Sequence, residues 1–291
     1  MKKIVFTGSC TAIITPFKDD EVDFVSFRKL ISYQLENGTD AIAILGTTGE
    51  PATLSEDEKE KIIVFAKSEI GGRAKLIVGT GANCTRKAVE NSQNAQRLGA
   101  DALLIVTPYY NKCTQNGLVE HYKQISNAVS IPIIVYNVPT RTGVNILPET
   151  AVKLSELENV CGIKEASGDL GQIMTLCKML SAKMAVYSGE DSHNFIFLTL
   201  GAKGVISVAG NILPKEIKLL TKLIQKGQID EARTLHEKLL SINKNVFIEV
   251  NPIPVKFACS QKGLCENELR LPLTPLEKIH EQIIINNLNE F

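Results

Sequence analysis

The stretch Val160-Cys-Gly-Ile-Lys164-Glu-Ala-Ser-Gly168-Asp-Leu170 starts as an apolar run, delivers a single lysine and then turns at Gly168. A short continuous apolar run reads as a strand covered on both faces, as in a parallel sheet. At the carboxyl end of such a strand Lys164 loses much of the water that stabilises an ammonium group, so a neutral amine comes within reach. Neutral amines attack ketones, which opens Schiff-base chemistry. The competing reading is a snorkelling lysine, or one salt-bridged to the adjacent Glu165.

Similar runs recur on either side, spaced by about 25–35 residues, each followed by turn residues and a segment of helical period. Eight strands are predicted: Thr11–Thr15, Ala41–Leu45, Leu76–Gly79, Ala102–Val106, Ile133–Tyr136, Val160–Lys164, Ala185–Tyr187 and Gly204–Ser207. Between them, Phe24, Phe27, Leu30 and Ile31 form one helical stripe, and Ala88, Val89, Ser92, Ala95 and Leu98 another. Ser55-Glu-Asp-Glu58 has capping-box spacing, and Pro148 and Pro214 fall where a first helical turn accepts proline.

Eight βα units predict an α/β chain folded as a (β/α)8 barrel over residues 1–226. A doubly wound open sheet is the alternative. It would normally carry a nucleotide fingerprint, and Gly79-Thr-Gly81-Ala-Asn-Cys84 lacks both the third glycine and the P-loop lysine. Beyond the eighth unit the rhythm stops, and residues 227–291 read as a helical extension. One face carries Ile229, Ala232, Leu235, Leu239 and Ile242, a second segment surrounds Phe247, Val250 and Val255, and a third runs through Leu276, Ile279 and Ile283. Prolines 252, 254, 272 and 275 break it into pieces.

Composition narrows the partners. Lys plus Arg equals Asp plus Glu at 32 each, so the field that attracts nucleic acid or an anionic membrane is missing and a small-molecule partner is expected. The apolar core of the amino terminus spans only Ile4 to Phe6, too short for an export signal, and no run reaches the length needed to cross a bilayer. Seven scattered cysteines without a Cys-x-x-Cys pair fit reduced thiols and a cytoplasmic location. His121, His193, His236 and His280 lie far apart, so no metal site is expected from spacing.

Barrel function concentrates at the carboxyl ends of the strands. Here those ends are polar: Gly46-Thr-Thr-Gly-Glu50, Thr107-Pro-Tyr-Tyr110, Tyr136-Asn-Val-Pro-Thr-Arg141-Thr-Gly143, Lys164-Glu and Ser188-Gly-Glu190. Each type has work to do on a keto acid. Backbone N–H groups at Gly46 and Gly49, with the Thr47 and Thr48 hydroxyls, can hold a carboxylate. Tyr136 can pass protons to and from a carbinol oxygen, and Arg141 offers a fork to a second carboxylate. Set against these are a plain tight turn, a satisfied core tyrosine and a surface salt bridge.

Gly46-Thr-Thr-Gly-Glu50, Tyr136-Asn-Val-Pro with Arg141-Thr-Gly143, and Gly162-Ile-Lys-Glu-Ala-Ser-Gly168 together resemble the dihydrodipicolinate synthase family, across essentially the whole chain. The resemblance implies a lyase that condenses pyruvate with L-aspartate 4-semialdehyde on the route to diaminopimelate and lysine. Lys164 would form the imine with pyruvate, and Tyr136, Thr47 and Tyr110 would relay protons, Tyr110 reaching into a neighbouring subunit. Thr48 and Ile206 would contact pyruvate, Gly189 would line the site and Arg141 would hold the aldehyde's carboxylate. No cofactor is implied beyond the covalent lysine imine. A homotetramer built as a dimer of dimers is common in the family.

One departure concerns regulation. Family members inhibited by lysine bind it with an Asn, a Tyr, a His and a Glu. Here Asn83 and Tyr109 match, but Lys59 and Lys87 stand at the other two positions, which implies weak or absent lysine feedback. Related pyruvate-dependent aldolases, such as N-acetylneuraminate lyase and the 2-keto-3-deoxy sugar acid aldolases, share the lysine and the tyrosine. Arg141 and Tyr110 favour the synthase. A barrel that only binds a keto acid, as a sensor, is the non-enzymatic alternative.

Overall fold

The apolar runs do become strands, and the strands close on themselves. In the computed structural model, which describes residues 2–291, they are β1 (Gly8–Ala12), β2 (Ala41–Ile44), β3 (Lys75–Gly79), β4 (Ala102–Val106), β5 (Ile133–Asn137), β6 (Val160–Glu165), β7 (Ala185–Ser188) and β8 (Gly204–Ser207). All pair in parallel with their sequence neighbours, and Gly8–Thr11 lie beside Gly204–Ser207 to complete the barrel. With helices between the strands this is a (β/α)8 barrel.

The first strand lies three residues earlier than Thr11–Thr15. Gly8 to Thr11 are taken up by the closing pair with β8, Ile13 N–H still reaches Ala43 O (3.0 Å), and Ile14 N–H donates to the side chain of Asn211 (3.1 Å). Ile13, Ile14 and Thr15 are therefore a buried segment beyond the strand, whose burial gave it a strand-like composition.

Helix ends form where the local chemistry demands. Ser55 and Glu58 make a full capping box on Glu56–Ile70, and Asp23 accepts the first free N–H groups of Phe24–Glu36; such caps contribute about 1 kcal/mol each. Pro148 and Pro214 open their helices as the spacing predicts.

Alternation along the strands divides the core. Cys10, Ala12, Ala41, Ala43, Leu104, Ile134, Tyr136, Tyr187 and Ile206 pack together inside the barrel, while a larger set including Leu30, Ile42, Ile63, Ile133 and Ile163 packs the strands against the helices. Small residues on β1 and β2 leave room inside for two tyrosines. Phe6, just before β1, stacks on Tyr187 with centroids 4.5 Å apart, and the Tyr187 hydroxyl donates to Phe6 O (3.0 Å).

After the helix Pro214–Gln225 come Ile229–Asn245, Ile253–Gln261 and Lys278–Leu288. Ala232, Leu239 and Ile242 are buried as their spacing predicts, and they join the core shared by strands and helices. The last helix is rotated from expectation: Ile284 and Asn287 face inward, whereas Ile279 is 73% exposed. Phe247 and Val250 are not helical; they sit in an irregular crossing that leads back over the barrel. Among the described residues no helix is long and apolar enough to cross a membrane.

Candidate active site

Tyr136 on β5 and Lys164 on β6 are register partners, so both side chains point into the barrel at one height near its carboxyl end. Lys164 is 5% exposed, and its Nζ lies 4.4 Å from the centre of the Tyr136 ring. Glu165 faces the other way. Its carboxylate accepts from Ser167 N–H (2.6 Å), Asn137 Nδ2 (2.9 Å) and Gln172 Nε2 (3.3 Å), and burial pushes its pKa above the ordinary carboxylate value. The Lys164–Glu165 pairing is thus ruled out by strand alternation, and among the described residues no carboxylate pairs with Lys164.

The neighbouring strand makes way for this lysine. A Cβ on Gly189 would lie 2.8 Å from Lys164 Cε and 3.0 Å from Glu165 O, a separation side chains do not tolerate. Glycine there is a requirement of the lysine's position.

A cavity of about 410 Å³ opens over this pair, lined by Thr47, Thr48, Tyr136, Arg141, Lys164 and Gly189. It adjoins a cleft of about 640 Å³ that shares Thr47, Tyr136 and Arg141 and runs out past Asn83, Lys87 and Tyr109. Thr47–Gly49 form a single 3-10 turn at the end of β2, held by Thr15 Oγ1 donating to Gly49 O (2.7 Å). Glu50, in the left-handed region at φ 51°, turns away from the cavity to meet Lys256. Arg141 lies on the short helix Pro139–Thr142, and its guanidinium donates to Asn251 O (3.0 Å).

Two expected site residues are not brought to the cavity. Ile206 is 1% exposed and packs with the residues inside the barrel, while Val208, two residues on, lines the cavity. Tyr110 is 90% exposed at φ 69° and touches neither cavity of its own chain. The other six, Lys164, Tyr136, Thr47, Thr48, Arg141 and Gly189, all line the cavity.

Several contributors escape a linear reading. Asn251 and Glu249 line the cavity from the extension, through contacts that span more than a hundred residues. Asp191, 2% exposed, accepts from Val208 and Ala209 N–H (2.8 and 2.9 Å) and so ties the end of β7 to the end of β8. His280, apparently isolated in sequence, sits 2.6 Å from Glu249 with Glu277 beside them. No residue type or spacing in the sequence marks these long-range partners.

A lysine enclosed without a counter-charge, beside a tyrosine at the carboxyl rim of a (β/α)8 barrel, defines the class of barrel enzymes that act through a strand-end amine. The chain belongs to the dihydrodipicolinate synthetase family, which it matches over residues 5–290. It is 50% identical to the 4-hydroxy-tetrahydrodipicolinate synthase of Caldicellulosiruptor bescii over 288 residues, 99% of this chain and 97% of the relative. The solved dihydrodipicolinate synthase of Thermotoga maritima superposes with a TM-score of 0.97 at 46% identity, covering 98% of both chains. That of Acinetobacter baumannii, complexed with pyruvate, gives 0.96 at 45% identity, again over 98% of both.

Proposed function

We propose that this chain is a lyase of the 4-hydroxy-tetrahydrodipicolinate synthase type, joining pyruvate to L-aspartate 4-semialdehyde in diaminopimelate and lysine biosynthesis. The observation that carries the reading is Lys164, 5% exposed, lying against Tyr136 and ion-paired with no carboxylate among the described residues, at the floor of a cavity that Thr48 and Arg141 line. The Lys164 amine adds to the pyruvate ketone, and water leaves as the imine forms. Tyr136 exchanges the protons, with Thr47 and a neighbouring subunit's tyrosine completing the relay. The protonated imine withdraws electrons, so the methyl group loses a proton and the resulting enamine carbon attacks the aldehyde. No further cofactor is needed for these steps. Thr48 holds the pyruvate carboxylate, Gly189 leaves space for the adduct and Arg141 binds the carboxylate of the semialdehyde.

Borohydride reduction in the presence of pyruvate, read by mass spectrometry, tests this reading: a stable adduct on Lys164 is expected. Turnover with the semialdehyde but not with sialate separates the synthase from the related aldolases. Absence of both adduct and turnover would leave only a keto-acid binder.

A homo-oligomer, a tetramer of paired dimers, goes with this reading because Tyr110 stands exposed on a left-handed turn, away from its own cavity. A cytoplasmic location suits seven cysteines that all stand as free thiols. Weak lysine inhibition is proposed from the outer cleft, where Lys59 and Lys87 both pair with Glu56 (2.9 Å each), leaving one cation in excess near Asn83 and Tyr109. An added ammonium ligand meets repulsion there. Half-inhibition by lysine below millimolar concentration would contradict it.

A further inference from the structure

Asn251 belongs to the extension, yet it is 6% exposed and reaches both sides of the cavity. Its Nδ2 donates to Thr48 Oγ1 (3.0 Å), and its backbone carbonyl accepts from Arg141 Nη2 (3.0 Å). Its own Oδ1 is buried without a hydrogen-bond partner. A buried amide whose oxygen is unused costs stability, so its one side-chain bond carries the reason for its presence. That bond fixes the direction of a hydroxyl. A threonine hydroxyl has one proton; when Oγ1 accepts from Asn251, the proton remains for another acceptor, and Thr48 donates to no protein group among the described residues.

We infer that Asn251 is a positioning residue that turns the Thr48 hydroxyl into a donor aimed at the carboxylate of the keto acid. This deepens the proposed function and rests on its assignment of Thr48 to pyruvate. The amide carries no charge, so it orients the hydroxyl without repelling the anion. A carboxylate in its place would reverse the bond: the Thr48 hydroxyl would donate to it, and a negative charge would face the keto acid. The Arg141 contact comes from the backbone and survives any change of side chain.

The test is steady-state kinetics on the full-length enzyme with both substrates varied. Asn251→Asp, nearly isosteric, is expected to raise the pyruvate KM about 30-fold, and Asn251→Ala about fivefold, since one lost hydrogen bond is worth roughly that factor. In Asn251→Ala the semialdehyde KM should stay within about twofold, because the Arg141 contact comes from the backbone carbonyl. Thermal melting alongside verifies that each variant is folded. Borohydride trapping separates the two levels. An adduct in the wild type that saturates at the same pyruvate concentration in Asn251→Asp overturns the positioning role, whereas no adduct in the wild type overturns the proposed function itself. In Asn251→Ala, equal rises in both KM values also overturn the inference, because they would mark a general disturbance of the mouth.

Discussion

Two lysines in this molecule are buried under an aromatic ring, and they have been given opposite surroundings. Lys164 is 5% exposed with Nζ 4.4 Å from the Tyr136 ring centre, and Lys256 is fully buried with Nζ 4.3 Å from that of Phe17. Lys256 meets Glu50 in an ion pair with both side chains enclosed, whereas among the described residues no carboxylate forms an ion pair with Lys164. Burial pulls the Lys256 pKa below its ordinary value while Glu50 pulls it back up. Around this pair Arg270 also stacks on Phe17 and binds Glu58, whose pKa is lowered to about 2 chiefly by that hydrogen bond. The lesson is that enclosure alone does not define a lysine's task. Where a carboxylate closes the charge, the side chain clamps the extension to the loop after β2; where none does, the amine is left for chemistry.

The largest effect expected from this contrast is at Lys164. Its replacement by alanine should lower condensation by about 10⁴-fold or more, roughly 5 kcal/mol of transition-state stabilisation, and abolish the borohydride adduct. Replacing it with methionine should in addition leave the melting temperature unchanged or raised, since a buried amine without a partner is removed. A loss of stability as great as the loss of activity would break the comparison.

Glu50→Gln isolates the other lysine. It leaves Lys256 enclosed and unpaired, so a loss of about 3–5 kcal/mol is expected in denaturant unfolding. The Lys164 adduct should still form in whatever fraction stays folded. Normal stability would mean that the pair contributes little.

His121 sharpens the contrast, as a buried base with no counter-charge at all. Its Nδ1 meets Thr85 Oγ1 (3.0 Å), its Nε2 has no partner, and burial lowers its pKa to about 4 from the usual 6.5. A depressed folded value means that the neutral ring is favoured in the fold. The associated stability is present above about pH 6.5 and is lost as pH falls toward 4, amounting to about 3 kcal/mol. Unfolding measured at pH 7.5 and 4.5 for the wild type and His121→Gln should give a smaller pH dependence in the variant by roughly that amount; equal slopes would refute it.

The barrel was legible because seven of the eight strands fall on apolar runs at the expected places and the rims are polar, which is local information. The misplacements also have local causes. Ile13 and Ile14 look like strand because they are buried above one, and the last helix is turned because Asn245 donates to the side chain of Asn287 (2.6 Å), drawing a polar residue inward. Lys164, Tyr136 and the two threonines could be read from their positions at strand ends. Asn251 and Lys256 could not, since Asn251 meets Thr48 203 residues away and Lys256 meets Glu50 206 residues away. Tyr110 lies in a polar rim segment like the others, but a single chain leaves it facing outward.

The stack of Phe6 on Tyr187 packs the amino end of the barrel, and the cavity over Lys164 lies at the carboxyl end. On the proposed assignment the three-carbon acid must travel to the bottom before the aldehyde docks against Arg141 at the threshold, and an aldehyde that arrives first stands in the way. Order of loading is then imposed by architecture, with no moving part required.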